Sequence, residues 1–296
     1  MFRMYAMFTN KKIKQHVFNA ACAITALFSV ACSPIKTLNA IIPENGYELH
    51  PAIAYGDLPQ QKMDIYIPKS NVNVKRRVVV FFYGGSWDSG ARGDYKFVAE
   101  ALTSKGFIVA IPDYRVYPEV NFPGFMADPA KAAAWVKLHA DELGGDAQHI
   151  FLAGHSAGAH IAVMLSVNSE YLAHENLKYT DFAGTIGLAG PYDFLPLRSQ
   201  RLKAIFGPES ERWKSQPIEF VSGKNPPILL LVGLKDTTVA TYNTFNMANK
   251  IKSKGGPVKV VEFPTYSHID MVAKLAKPLR GNGELLKPIV DFIQQQ

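Results

Sequence analysis

Seven short runs of the chain are apolar and β-rich, several of them apolar at every position: DIYIP at 64–68, VVVFF at 78–82, FIVAI at 107–111, IFLA at 150–153, TIGLA at 185–189, ILLLV at 228–232 and VKVVEF at 258–263. A strand with one wet face alternates apolar and polar positions, whereas a strand covered on both faces does not need to. These runs therefore predict a mostly parallel central sheet with helices on both faces, an α/β fold. Helical patterns fall between them. Asp128 followed by Pro129 reads as an N-cap and first-turn proline, KAAAWVKLHADEL continues that helix, and Gly144 with Gly145 ends it. A second helix opens at the serine of GHSAGAHIAVML, a third spans about 241–254, and the last spans about 284–294, with Pro288 bending or delaying its start. The stretch 191–227 is polar and broken by prolines, which predicts a small helical insertion near the C-terminal edge of the sheet.

Composition narrows the class. The 296 residues are 48% hydrophobic and 19% charged with two cysteines, which excludes a disordered chain and a disulfide scaffold. The formal net charge is +7, but Arg3, Lys11, Lys12 and Lys14 supply four of those charges within residues 1–31, where no Asp or Glu occurs. The rest is scattered, so no nucleic-acid partner is expected. The basic start is followed by an apolar stretch, 17–31, of 15 residues that includes Asn19. A bilayer-crossing helix needs about 20 apolar residues, so residues 1–31 read as a signal peptide and the protein as exported: periplasmic, secreted or membrane-anchored. Ser29, Val30 and Ala31 before Cys32 suit ordinary cleavage, and they also resemble a lipobox with Cys32 as the lipidated residue, although a leucine usually stands where Ser29 is. The expected organisation is a signal at 1–31, an N-terminal segment at 32–60 and a catalytic domain at 61–296.

Chemistry concentrates at GHSAG, residues 154–158, a GxSxG pattern that follows one predicted strand and opens a helix. That context is a nucleophile elbow, with Ser156 on a strained turn and glycines where side chains would not fit. A serine hydroxyl needs a general base, and the base needs a carboxylate to hold its ring. Downstream of the elbow lie His160, His174 and His268. His160 sits one turn along the nucleophile's own helix and His174 follows no strand, whereas His268 follows VKVVEF in the loop PTYSHID, so His268 is assigned as base. Asp236, directly after ILLLVGLK, is assigned as the acid; Asp193 in GPYDF is the rival, read as a structural carboxylate, and Asp270 lies too close in sequence to His268. Gly84 and Gly85, after VVVFF, together with the Ala157 N–H, are the expected oxyanion donors. No HExxH, CxxC or phosphate-binding loop is present, so neither metal nor organic cofactor is expected.

These residues resemble the α/β-hydrolase superfamily, and within it the carboxylesterase and lipase group whose oxyanion motif reads HGGxW or HGGG. That group includes hormone-sensitive-lipase-like esterases, feruloyl-esterase-like proteins and kynurenine formamidases. The resemblance runs from about Gln61 to the C-terminus through QKMDIYIP, YGGSW, PDYRVYPEVNFP, GHSAGAH, GPYDF and LVGLKD. Tyr83 departs from the pattern, standing where the family usually has histidine. The resemblance implies hydrolysis of short- to medium-chain carboxylic esters through an acyl-enzyme on Ser156, a small-molecule ester as substrate, and Trp87 and Tyr83 beside the pocket. A formamidase or other amidase would use the same triad, and a non-catalytic binding protein on the same scaffold is the reading from another class.

Overall fold

A computed structural model describes residues 38–70 and 74–296; the expected signal at 1–31 and Cys32 lie outside the described residues. Ile41–Gln296 form one compact unit, while the described residues 38–40 belong to a separate unit, Met1–Ala40. Among the described residues no helix is long and apolar enough to cross a membrane.

All seven apolar runs form strands: β2 (Lys62–Pro68), β3 (Arg76–Phe82), β4 (Ile108–Pro112), β5 (Gly145–His155), β6 (Gly184–Leu188), β7 (Ile228–Gly233) and β8 (Val258–Phe263). An eighth, β1 (Tyr47–Ala54), gives the order β1-β2-β4-β3-β5-β6-β7-β8. The β1–β2 and β2–β4 pairs are antiparallel, and the five pairs from β4–β3 to β7–β8 are parallel. β4 and β7 are buried at every position, which explains their unbroken apolar sequences. The half-exposed edge strand β1 has no such run.

The helices are α1 (Lys96–Thr103), α2 (Ala127–His139), α3 (Ala157–Val167), α4 (Ser169–Ala173), α5 (Gln200–Phe206), α6 (Tyr242–Ser253), α7 (Asp270–Ala273) and α8 (Leu286–Gln295). Every residue of α3 is buried. Its Ala159, Val163 and Val167 share a core cluster with Ile228 and Leu230 of β7 and with Met247 and Ile251 of α6. Pro288 falls in the first turn of α8, where its missing N–H costs no helical bond, so the helix starts at Leu286 rather than at 284. The insertion 191–227 holds α5 and two short 3-10 turns, Glu209–Ser215 and Pro217–Phe220.

The chain builds outward from β3 in both directions, so β3 pairs with β4 on one side and with β5 on the other. In an open α/β sheet, the crevice beyond the carboxyl ends of strands at such a reversal is where ligands bind. The register sets Phe82 opposite Gly154, which brings the loop after β3 beside the turn after β5.

Asp128 does not cap α2 as its sequence suggests. The helix begins at Ala127, and the Asp128 side chain is fully buried. Its carboxylate accepts from Arg115 Nε and Nη2 at 2.8 Å each, from the Arg115 N–H at 2.9 Å and from Gln61 Nε2 at 2.8 Å. An ion pair to the preceding segment has displaced the cap. Burial raises the pKa of this carboxyl, but the Arg115 and Gln61 hydrogen bonds outweigh it, and the net shift is downward. A carboxyl that titrates lower when folded stabilises above its unfolded pKa and loses that contribution as pH falls through the folded one. Asp128→Asn is expected to cost about 3 kcal/mol at neutral pH by leaving Arg115 without its counter-charge. It should also flatten the acid limb of Tm against pH. Thermal melts from about pH 3 to about pH 7 read both; an unchanged Tm at neutral pH would mean that the network contributes nothing.

Candidate active site

The turn between β5 and α3 is tight enough to dictate its residues. Ser156 has φ 55° and ψ −121°, and its N–H is tied to the Leu188 carbonyl of β6 at 2.9 Å. A Cβ on Gly154 would lie 2.2 Å from the Gly158 carbonyl oxygen, and one on Gly158 would lie 2.0 Å from that of Phe82. Only glycine lets β3, β5 and α3 approach this closely, and the approach lifts Ser156 above the sheet at the N-terminus of α3.

His268 lies in the loop between β8 and α7. Its Nε2 is 3.0 Å from Ser156 Oγ, and its Nδ1 is 2.7 Å from Asp236 Oδ2. Asp236 follows β7, and its other oxygen accepts from the N–H groups of Thr238 and Val239 at 2.8 Å each. Burial raises the pKa of this carboxyl, but the bonds from His268, Val239 and Thr238 prevail and hold it below the ordinary value. The side chain is therefore an anion, and an acceptor-only carboxylate makes Nδ1 the donor and leaves Nε2 to accept from the serine hydroxyl. Asp193 and Asp270 are elsewhere. Asp193 accepts from Asn246 Nδ2 of α6 at 2.7 Å, and Asp270 accepts from the Ser267 N–H and hydroxyl at 2.9 and 2.6 Å.

The loop after β3 separates the two glycines. The Gly84 N–H donates to the Tyr95 hydroxyl at 3.2 Å, so it is not aimed at the cleft. A Cβ there would meet Ser156 Cβ at 3.1 Å, so Gly84 serves by being small. The N–H groups of Gly85 and of Ala157, the first residue of α3, take no acceptor among the described residues. Tyr83 does not line the cleft. It is 1% exposed and stacks between Tyr95 and Tyr114, and its hydroxyl reaches Asp113 at 3.3 Å. A chain of buried tyrosines props up the loop from behind. Trp87 both lines the cleft and packs: it is 5% exposed and stacks on Phe194.

The cleft over Ser156 has a volume of about 440 Å³. Trp87, Phe194, Leu197, Leu202 and Val239 supply apolar wall, and Phe194, Leu197 and Leu202 come from the insertion 191–227. Two buried histidines make contacts that sequence reasoning misses, although it weighs His160 as a base. His155, the variable residue of GxSxG, donates from Nε2 to the His268 carbonyl at 3.1 Å. Burial, followed by the neighbouring His268, lowers its pKa to about 3, so it stays neutral beside the His268 ring. His160 bonds to Trp87 and Ser215. Neither left a sequence signal, because each partner lies 55 or more positions away. Among the described residues no group of three or more His, Cys, Asp or Glu is arranged to hold a metal ion.

The BD-FAE family model matches residues 63–251, an interval that contains Ser156 and Asp236. An isoprenylcysteine alpha-carbonyl methylesterase from Arabidopsis thaliana is 29% identical over 83% of this chain, and this chain spans 62% of that protein's length. A kynurenine formamidase from Salmo salar is 25% identical, with 75% of this chain and 76% of the other covered. Among solved structures, a truncated form of a carbohydrate esterase from gut microbiota superposes with a TM-score of 0.73 at 18% identity, covering 86% of this chain and 98% of that one. With its mostly parallel sheet flanked by helices and this match across most of the domain, the chain has the α/β-hydrolase fold and belongs to the BD-FAE family.

Proposed function

We propose that the protein is a serine carboxylesterase acting on short- to medium-chain carboxylic esters. The observation that carries this reading is the unbroken line from Asp236 through His268 to Ser156, at 2.7 and 3.0 Å. Ser156 Oγ attacks the ester carbonyl as its proton passes to His268 Nε2. Asp236 stabilises the imidazolium, and the N–H groups of Gly85 and Ala157 receive the oxyanion. His268 then protonates the departing alcohol. Water repeats the sequence on the acyl-enzyme, releasing the acid and restoring Ser156. A cleft of about 440 Å³, whose walls combine Trp87, Phe194, Leu197 and Leu202 with polar and charged groups such as Asp88, Arg198 and Arg201, favours acyl groups of modest length.

The Arabidopsis thaliana methylesterase supports ester substrates. The Salmo salar kynurenine formamidase favours a second reading, arylformamide hydrolysis with the same residues. The basic and then apolar segment 1–31 supports export, with Cys32 as the first mature residue, lipidated or free. A fluorophosphonate probe is expected to label the folded protein at Ser156. Turnover of p-nitrophenyl acetate, butyrate and octanoate should exceed that of N-formylkynurenine. The opposite order would select the formamidase, and a folded protein that the probe leaves unlabelled would be a binding protein on a hydrolase scaffold.

A further inference from the structure

We propose that His160 is a positioning residue for the oxyanion loop, acting through the indole of Trp87. This rests on the esterase reading above. The loop needs such an anchor because Gly85, Ser86 and Trp87 have φ values of 142°, 52° and 62° in succession. Ser86 and Trp87 carry a Cβ, and side-chain-bearing residues persist in this region only when their surroundings hold them there. Part of the hold is local: the N–H groups of Asp88 and Ser89 both return to the Gly85 carbonyl at 3.1 Å.

The rest comes through Trp87. Its Nε1–H donates to His160 Nδ1 at 3.3 Å, its ring stands perpendicular to the imidazole at 5.2 Å, and Phe194 and Phe206 pack against it at 5.6 and 4.8 Å. An indole nitrogen can only donate and a carbonyl can only accept. With Trp87 on Nδ1 and the Ser215 carbonyl on Nε2 at 2.8 Å, one arrangement satisfies both: neutral His160 with its proton on Nε2. His160 is wholly buried, and burial lowers its pKa to about 4 against the opposing Ser215 bond, so the Nδ1 lone pair stays available.

Position gives this bond its consequence. His160 lies one turn after Ser156, and its N–H closes on the Ser156 carbonyl at 3.1 Å. One oxyanion donor, Gly85 N–H, belongs to the loop; the other, Ala157 N–H, belongs to α3. The Trp87–His160 bond spans those two elements, so it helps to fix the spacing between the donors. Ser215 belongs to the insertion that walls the cleft, and the neighbouring Gln216 accepts the Phe194 N–H at 2.7 Å. The same side chain therefore ties loop, nucleophile helix and insertion together.

The test separates the oxyanion from ground-state binding. Kinetics on p-nitrophenyl butyrate are paired with inhibition by a trifluoromethyl ketone, to whose carbonyl Ser156 Oγ adds while its proton passes to His268 and the carbonyl electron pair becomes an oxyanion. His160→Phe keeps the ring but offers no acceptor. It is expected to lower kcat about 10- to 100-fold with KM within about threefold, and to weaken the ketone by a similar factor. His160→Asn, whose Oδ1 can take the indole N–H, should recover most of the loss. Trp87→Phe should behave like His160→Phe, and the double variant should be no slower than the slower single one. A folded His160→Phe with kcat within about twofold of wild type, a lower kcat with unchanged ketone affinity, or losses that multiply in the double variant would each overturn the proposal. Should His160→Phe fail to fold, Trp87→Phe at the wild-type rate would overturn it, and a slow Trp87→Phe beside a near-normal His160→Asn would support it. Absence of Ser156-dependent turnover in the wild type would instead remove the esterase reading, before any of these variants is made.

Discussion

Ser156→Ala is expected to lower ester turnover by about a million-fold, as loss of the nucleophile does in serine hydrolases generally. The loss is this large because the remaining parts have nothing to act on. His268 Nε2 faces the Ser156 hydroxyl at 3.0 Å, and without that oxygen it can only activate water. Ser86 and Thr238 also line the cleft with hydroxyls, but no hydrogen bond joins either to His268 among the described residues. The substitution removes one oxygen and keeps the backbone, so the fold should survive; circular dichroism and Tm check this. Rates with p-nitrophenyl butyrate, measured with enough protein to see a millionth of the wild-type rate, decide the matter. Retention of more than about 1% of activity would mean that another group supplies the nucleophile.

The parts of the molecule that could be read from sequence are those whose cause is local. Each inner parallel strand is covered on both faces and so announces itself as an apolar run, whereas β8, at the sheet edge, leaves Lys259 and Glu262 exposed. The elbow announces itself because strand, tight turn and helix follow one another within a dozen residues, and the glycines at 154 and 158 are forced by backbone contacts of 2.2 and 2.0 Å. Asp236 and His268 could be found because both sit just past strand ends, and strand order carries those ends to one edge of the sheet. β1 was illegible because an exposed antiparallel edge has no strong pattern: YELHPAIA mixes His, Glu and Pro with its aliphatics. α1 was illegible because a helix of eight residues that begins without a side-chain cap offers few signals.

The site's supports were hidden for a different reason. Each depends on a partner that only the tertiary structure supplies. Gly84 gives its N–H to Tyr95, which leaves the Gly85 N–H as the one of the two without an acceptor among the described residues and could not be foreseen from two adjacent glycines. Tyr83 carries its aromatic ring into a stack with Tyr95 and Tyr114 rather than toward substrate. His155 occupies a position that the motif treats as free, yet it holds the backbone of His268 from 113 residues away. Asp128 shows that a correct local signal can be overridden. Aspartate before proline is a sound cap, but Arg115 offers a charged, bidentate partner that an N-cap cannot match.

Asp236→Asn is expected to cost on the order of ten-thousand-fold in kcat, while Asp193→Asn should stay within about threefold of wild type. Two carboxylates at strand ends rivalled each other in the sequence, and their surroundings separate them. Asp236 accepts from His268 Nδ1 and from two backbone N–H groups, so as an anion it fixes which imidazole nitrogen carries the proton. Asparagine at that position keeps an oxygen for the N–H groups of Thr238 and Val239 and turns its NH2 toward Nδ1. Nδ1 must then accept, the ring proton moves to Nε2, and the nitrogen facing Ser156 can no longer take a proton. Geometry survives while the chemistry stops, so KM should change far less than kcat. Asp193 accepts from Asn246 Nδ2, and an asparagine oxygen can accept that bond equally well. Measuring kcat and KM for both variants on the same ester, with Tm as the control for folding, tests the pair together. If Asp193→Asn proved the slower of the two, the acid would have to reach His268 by a route that the 2.7 Å bond from Asp236 already occupies.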